Sequence, residues 1–251
     1  MPSIDLNCDM GESFGAWKLG NDTALMEHVT SVNIACGFHA GDATTIRKTI
    51  ATAIEKDIAI GAHPGYPDLQ GFGRRDMSLT LEEVCDIVLY QVAALKGICE
   101  ASGGKLHHVK PHGALYNQAA KSRELARAIA AAVRAIDSGL IFYGGSGSLL
   151  ISEAEALGLR TASEVFADRT YQADGSLTPR TLPNALIREQ SHAVDQAMQM
   201  VISGTVTAGS GEVLNIKADT ICIHGDGEHA LEFAIALRSA FRDNNIDVSA
   251  I

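Results

Sequence analysis

Short runs rich in β-branched residues alternate with longer segments of helical periodicity along almost the whole chain, and this alternation constrains the fold most. It is typical of βα units, in which helices join parallel strands. Seven runs have the composition of strands: Ser3–Asp9, Ser31–Cys36, Ile58–His63, Leu106–His112, Leu140–Tyr143, Thr161–Phe166 and Thr220–His224. About seven βα units in 251 residues predict a single α/β domain over 1–251, a seven-stranded (β/α) barrel.

Helical segments fill the spaces between these strands. They are Asp42–Lys56, Thr80–Ala101, Ala114–Ile136, Glu189–Ile202 and Glu228–Phe241. Thr80 and Glu83 have the spacing of a capping box, and Asp42 stands where an N-cap is expected. Two segments interrupt the alternation, so we expect a long loop near 169–188 and a β-hairpin near 204–216.

Charge and cysteine content narrow the classes of function. The chain has 20 basic and 30 acidic residues, a formal net charge of −10, which disfavours nucleic acid and anionic membranes as partners. Its five cysteines include no CxxC pair, and no segment has the roughly 20 consecutive apolar residues that cross a bilayer. The first residues lack the pattern of a signal peptide. We therefore expect a cytoplasmic protein with no membrane and no nucleic-acid partner.

Polar residues recur at the ends of the predicted strands. In the first strand, a period of two places Asp5, Asn7 and Asp9 on one face. The other strands contribute Asn33, His39, His63, Lys110, His112, Glu164, Asp168 and His224. Unpaired charges inside a barrel would each cost several kcal/mol. The convergence therefore predicts a functional site at the carboxyl ends of the strands, where barrel enzymes bind their substrates.

Two kinds of cofactor site are weakly indicated. Asp, Glu and His suit a divalent metal, but no pair has the short spacing of HExxH or CxxC, so no metal ligand is assigned. The glycine-rich turn 144–148 suits an anion or simply a tight βα turn. No GxxxxGK[ST] motif is present, which argues against a P-loop ATPase within this chain.

Long motifs spread along the chain resemble those of the LamB/YcsF family. They are Asp5–Gly15, Asn33–Asp42, Gly61–Asp68, Lys110–Tyr116, Glu164–Arg169 and Ile223–Asp226. One departure is Asn184, at a position where the family pattern leads us to expect Gly. The resemblance implies a barrel similar to that of glycoside hydrolases and polysaccharide deacetylases.

The resemblance also implies an activity. Such proteins act with two partner subunits to open the lactam of 5-oxo-L-proline to L-glutamate, coupled to ATP hydrolysis. Because no P-loop is present, we expect ATP to bind mainly with the partner subunits. Two other functions stay open at this point: a metal-dependent deacetylase of amides or carbohydrates, and a non-catalytic subunit that binds a small anion.

If the site opens the lactam ring, we expect the polar residues to have three kinds of role. The residues expected to be catalytic are Asp9, His63, Lys110 and His112. Asp9 or His63 would be the general base, while Lys110 and His112 would stabilise negative charge. The residues expected to bind substrate are Asn7, Asn33, His39 and His224. Those expected to orient Lys110 and the histidines are Asp5, Glu164 and Asp168.

Overall fold

Seven parallel strands close into a barrel in the computed structural model, which describes residues 2–223 and 230–251. In chain order the strands are β1 (Ser3–Met10), β2 (Ser31–Ala35), β3 (Ala59–His63), β4 (Leu106–Val109), β5 (Ile141–Gly145), β6 (Arg160–Phe166), β7 (Thr205–Thr207), β8 (Val213–Asn215), β9 (Thr220–Ile223) and β10 (Asp247–Val248). The helices are α1 (Asp22–Leu25), α2 (Ala43–Glu55), α3 (Leu81–Ala101), α4 (Gly113–Ala119), α5 (Arg123–Ile136), α6 (Leu149–Ala156), α7 (Gln190–Met198) and α8 (Ala230–Asp243).

The barrel strands follow the order β1-β2-β3-β4-β5-β6-β9, and β9 pairs with β1 to close the ring. The predicted seven-stranded barrel is therefore confirmed. The register pairs Thr220 with both Asp5 and Glu164, and it pairs Asp9 with Asn33. Because all seven strands are parallel, their carboxyl ends meet at one end of the barrel, which we call the mouth.

Both faces of β1 are buried, as expected for a strand of a parallel barrel. Ile4, Leu6 and Cys8 belong to the main hydrophobic core, which includes buried residues of the surrounding helices. Asp5 and Asn7 alternate with them. The hydrophobic core thus fixes which side chains of β1 are turned into the polar interior.

Two predicted helix starts are confirmed. The Asp42 carboxylate accepts hydrogen bonds from the backbone N–H groups of Thr44 and Thr45, which caps α2. Thr80 and Glu83 form both bonds of a capping box at the start of α3. These caps satisfy N–H groups that a helix leaves unpaired in its first turn.

The predicted helix Ala114–Ile136 is wrong as a single element, because the chain forms α4 and α5 with a break between them. Ser122 Oγ accepts a hydrogen bond from Leu125 N and starts the second helix. The predicted helix Glu189–Ile202 is regular only to Met198 and continues as a π-helical turn, Gln199–Ser203.

The region between β6 and β9 departs from the simple βα pattern. Residues 169–188 contain no regular helix or strand, and the buried Arg169 guanidinium donates hydrogen bonds to Thr178 O and Ala185 O. Strands β7 and β8 form an antiparallel pair. Among the described residues, no helix is both long and apolar enough to cross a bilayer.

Candidate active site

The mouth of the barrel holds a dense group of buried polar side chains. Each is at most 9% exposed, although each can carry a charge or bond to water. They are Asn7, Asp9, Glu12, Asn33, His39, His63, His108, Lys110, His112 and Glu164. The structure thus brings together most of the residues predicted from the strand ends.

Lys110 lies just after β4, at the centre of the charged part of this group. Its Nζ is 2.9 Å from Asp9 Oδ1 and 2.7 Å from Glu164 Oε1. It also donates hydrogen bonds to Asn7 Oδ1 (3.2 Å) and Cys222 Sγ (3.0 Å). Burial alone would lower the pKa of Lys110, but the charge of Asp9, with that of Glu164, raises it well above its usual range. Lys110 is therefore a fixed cation and not a nucleophile or base.

Two asparagines hold the charged groups in place. Asn33 Nδ2 donates to Asn7 Oδ1 (2.7 Å) and Asp9 Oδ1 (2.9 Å), and Asn33 Oδ1 is 2.9 Å from His108 Nε2. The His108 ring fits against β3 because position 61 is glycine. A Cβ at Gly61 would lie 2.1 Å from His108 Nε2. The polar atoms of Asn33 are thus engaged by groups of the chain itself.

Helix α4 adds a tyrosine that bonds to Glu164. Tyr116 OH donates a hydrogen bond to Glu164 Oε2 (2.8 Å) and is itself buried. Burial, together with the nearby charge of Glu164, raises the pKa of Tyr116 well above its usual range, so the phenol stays protonated. Glu164 therefore contacts both Lys110 and Tyr116, as an orienting residue would.

The histidines occupy the other part of the mouth. His63 Nδ1 lies 2.7 Å from Lys110 O, and His63 Nε2 lies 3.4 Å from Asp9 Oδ2. His112 Nε2 lies 2.8 Å from Phe72 O, and its Nδ1 lies 2.9 Å from His63 Nε2. Burial, with the influence of His63, holds the pKa of His112 well below its usual range.

His39 stacks on His112 with ring centroids 3.7 Å apart and planes 4° apart. Neither ring nitrogen of His39 has a hydrogen-bond partner among the described residues. Its Nε2 lies 3.7 Å from Glu12 Oε1, which is also 3.8 Å from His112 Nδ1. Burial, with His112 and His63 nearby, holds the pKa of His39 well below its usual range.

Four of these side chains form a group that could hold a metal ion. Glu12, His39, His63 and His112 each offer one ligand atom, and these atoms lie within 4.8 Å of one another. We call this group the histidine cluster. The sequence alone assigns no metal ligand, because the four residues follow four different strands and have no short spacing between them.

Asp5 lies deeper in the barrel than the other predicted residues. Its carboxylate accepts hydrogen bonds from the hydroxyls of Thr30 (2.6 Å), Ser31 (2.7 Å), Thr220 (2.6 Å) and Tyr143 (3.1 Å). We call these five residues the Asp5 network. The link from Asp5 toward Lys110 is indirect and runs through Thr220 and Asn7.

The two remaining predicted site residues are Asp168 and His224. Asp168 is half-buried two residues after β6, and its backbone oxygen accepts a hydrogen bond from Ile187 N (2.8 Å). His224 lies outside the described residues. Their roles remain predictions.

The structure adds Glu12, His108, Tyr116 and Cys222 to the predicted residues. Glu12 comes back over the mouth because Gly11 takes a left-handed conformation (φ 71°), and a Cβ there would lie 3.0 Å from Ile34. Cys222 lies two residues after Thr220 on the same face of β9, so the alternation of side chains along a strand could have predicted its place in the interior. Tyr116 stands four residues after His112, the spacing of one helical turn.

Comparisons with known proteins agree with this architecture. The chain is 57% identical to a 5-oxoprolinase subunit from Tolumonas auensis over 251 residues, which is 100% of both chains. It superposes on the crystal structure of a lactam utilization protein from Thermus thermophilus with a TM-score of 0.94 and 45% identity, covering 99% of this chain and 100% of that one. A T48 deacetylase solved with substrate shares the fold, with a TM-score of 0.50 and 13% identity over 98% of this chain and 87% of that one.

The deacetylase likeness confirms the predicted similarity to deacetylase barrels, at the level of the fold alone. The family model described as LamB/YcsF family matches residues 4–251. Together with full-length relatives that are more than half identical, this match settles the family. The chain belongs to the LamB/YcsF family.

Proposed function

We propose that this chain is the component of a 5-oxoprolinase that binds and opens the lactam. The enzyme would convert 5-oxo-L-proline to L-glutamate and hydrolyse ATP to ADP and phosphate. The observation that carries the proposal is the full-length similarity to relatives named as 5-oxoprolinase subunits. The word subunit in those names implies partners, and we take them to be two.

The chemistry explains why a buried cation is useful here. A five-membered lactam is a poor electrophile, and phosphorylation of its carbonyl oxygen makes the ring carbon open to attack by water. The ring C–N bond then breaks, the nitrogen leaves as the protonated amine, and a second water hydrolyses the resulting acyl phosphate to L-glutamate and phosphate. During the first attack, negative charge develops on the oxygen substituents of the ring carbon. Lys110, held as a cation at the mouth, would stabilise this charge by about 2–4 kcal/mol.

A general base must remove a proton from the attacking water. Asp9 and His63 are both candidates, because Asp9 Oδ2 and His63 Nε2 lie 3.4 Å apart at the mouth. Asn7 and Asn33 bond to Asp9, Lys110 and each other, so we assign them a positioning role and not a contact with the substrate.

ATP is proposed to bind mainly on the partner subunits, since this chain has no P-loop motif. The isolated chain is therefore expected to be inactive. The proposed location is the cytoplasm, where the reduced state of all five cysteines would persist.

The two other functions are not favoured. Similarity to a deacetylase extends only to the fold, whereas the relatives named as 5-oxoprolinase subunits match over their full length. A protein that only binds an anion has no need of Asp9 and His63 beside the cation.

The test is an assay of glutamate release from 5-oxo-L-proline by the complex purified from its source through a tag on this chain. We expect release that requires both ATP and the copurified partners. The double variant Asp9→Asn/His63→Ala should lose activity while the complex still assembles. Full activity of the isolated chain, or full activity of the double variant, would refute the proposal.

A further inference from the structure

We propose that the histidine cluster binds one divalent transition-metal ion of the zinc type. The four ligand atoms come from Glu12 beyond β1, His39 beyond β2, His63 at the end of β3 and His112 beyond β4. Four separate strand ends therefore converge on a space small enough for one ion. All four residues are at most 8% exposed.

His39 provides the first argument for a ligand. Its ring is fully buried, yet neither nitrogen makes a hydrogen bond within residues 2–223 and 230–251. Buried polar atoms in folded proteins almost always have a partner, and an orphaned one costs free energy. The fold keeps this imidazole in a buried position stacked on His112, which is expected if a ligand completes its bonding.

The ring orientations of His63 and His112 provide a second, independent argument. Carbonyl oxygens only accept hydrogen bonds, so the nitrogens facing Lys110 O and Phe72 O carry hydrogen. In neutral rings the other nitrogens, His63 Nε2 and His112 Nδ1, then direct lone pairs at each other across 2.9 Å. A cation bound by both removes this repulsion. The two backbone carbonyls would also orient the ligands, as is usual around protein-bound metals.

The donor set selects the class of ion. Three imidazole nitrogens and one carboxylate suit Zn²⁺, Fe²⁺, Co²⁺ or Ni²⁺, whereas Ca²⁺ and Mg²⁺ prefer sets made of oxygen. Such an ion would act as a Lewis acid toward an oxygen atom at the mouth.

The site also decides between the two candidate bases, an assignment that rests on the proposed function. With Nε2 used as a ligand and Nδ1 bonded to Lys110 O, His63 has no nitrogen left to accept a proton. Asp9 remains, and its carboxylate is held by Lys110 and Asn33 beside the cluster.

The binding test uses the purified full chain, stripped with chelator and titrated with Zn²⁺ by calorimetry and with Co²⁺ by visible absorption. We expect one ion per chain. His39→Gln and Glu12→Gln should each weaken binding by more than about 100-fold, which exceeds the effect of losing an outer partner. His192→Gln, at an exposed histidine, is the matched control and should bind like the parent. Thermal melts of each variant check that it is folded.

The outcomes separate this inference from the proposed function. The metal site is overturned if the parent chain does not bind one ion per chain. It is equally overturned if folded His39→Gln and Glu12→Gln bind the ion as tightly as the parent. In either case, a proton shared by His63 and His112 would explain their short contact. If the chain binds one metal ion as expected but the complex releases no glutamate, the metal site is upheld and the proposed function is refuted. Full turnover in excess chelator would refute the ion's part in ring opening.

Discussion

Two buried polar groups share the interior of the barrel, and they differ in how their polar atoms are satisfied. In the Asp5 network, four hydroxyls of the chain donate to one carboxylate. In the histidine cluster, the buried His39 ring has no hydrogen-bond partner among the described residues.

The difference indicates which polar group serves the fold and which serves the function. A carboxylate whose neighbours all donate to it is satisfied by the barrel itself and needs nothing from outside. A buried ring whose nitrogens lack hydrogen bonds costs stability, and such costs are concentrated at functional sites. Buried polar residues inside a barrel therefore do not by themselves identify an active site. Buried polar atoms that lack hydrogen-bond partners do.

The largest effect is expected at Lys110, which lies between the two groups. Lys110→Met should reduce glutamate release by the complex by about 10³-fold or more, because the developing charge loses its cation. It should also destabilise the chain by roughly 3–5 kcal/mol, since Asp9 and Glu164 stay buried without it. Initial rates per folded molecule measure the first effect. The exposed Lys105→Met is the control, and equal rates for both variants would contradict the assignment.

Removal of the acceptor in the Asp5 network should act mainly on stability. Asp5→Ala leaves four hydroxyls without their acceptor, and we expect a loss of about 3–5 kcal/mol in the free energy of unfolding. Urea denaturation of the purified chain measures it. Asp5→Asn keeps one acceptor and should lose less. If Asp5→Ala unfolded like the parent, the network would have no structural role.

Replacement of His39 in the histidine cluster should have the opposite effect, with activity reduced and stability nearly unchanged. His39→Leu removes a buried ring that makes no hydrogen bond within the described parts of the chain. The metal-free chain should therefore lose no more than about 1 kcal/mol of stability, or gain some. Glutamate release by the complex should nevertheless fall. A loss of stability as large as that of Asp5→Ala would remove the distinction between the two groups.

The smallest effect is expected at the edge of the Asp5 network. Tyr143→Phe deletes one hydrogen bond to Asp5 and keeps the ring that stacks on His108, so we expect a loss of about 1 kcal/mol. Glutamate release should stay at the parent's rate. A rate far below it would show that the network takes part in catalysis.

Sequence patterns predicted the barrel because the strands and their order follow from local periodicity and parallel pairing. Period two also placed Asp5, Asn7 and Asp9 on one face, and all three bond within the barrel interior. The pattern does not distinguish Asp5 from Asp9, because their different partners come from strands far away in the sequence.

Other features depended on backbone geometry that no periodicity reveals. Glu12 reaches the mouth through the left-handed turn at Gly11, so its place in the cluster is set by a loop. The break before Ser122 escapes prediction because the alanine-rich sequence around it favours one continuous helix.

If the mouth of this barrel opens the lactam, loss of the Asp9 carboxylate should abolish most of the activity. We would measure the initial rate of ATP-dependent glutamate release by complexes that contain either the parent chain or Asp9→Asn, with exposed Asp86→Asn as the control. We expect a loss of at least about 10²-fold for Asp9→Asn in a folded, assembled complex and none for Asp86→Asn. A parental rate for Asp9→Asn would contradict it.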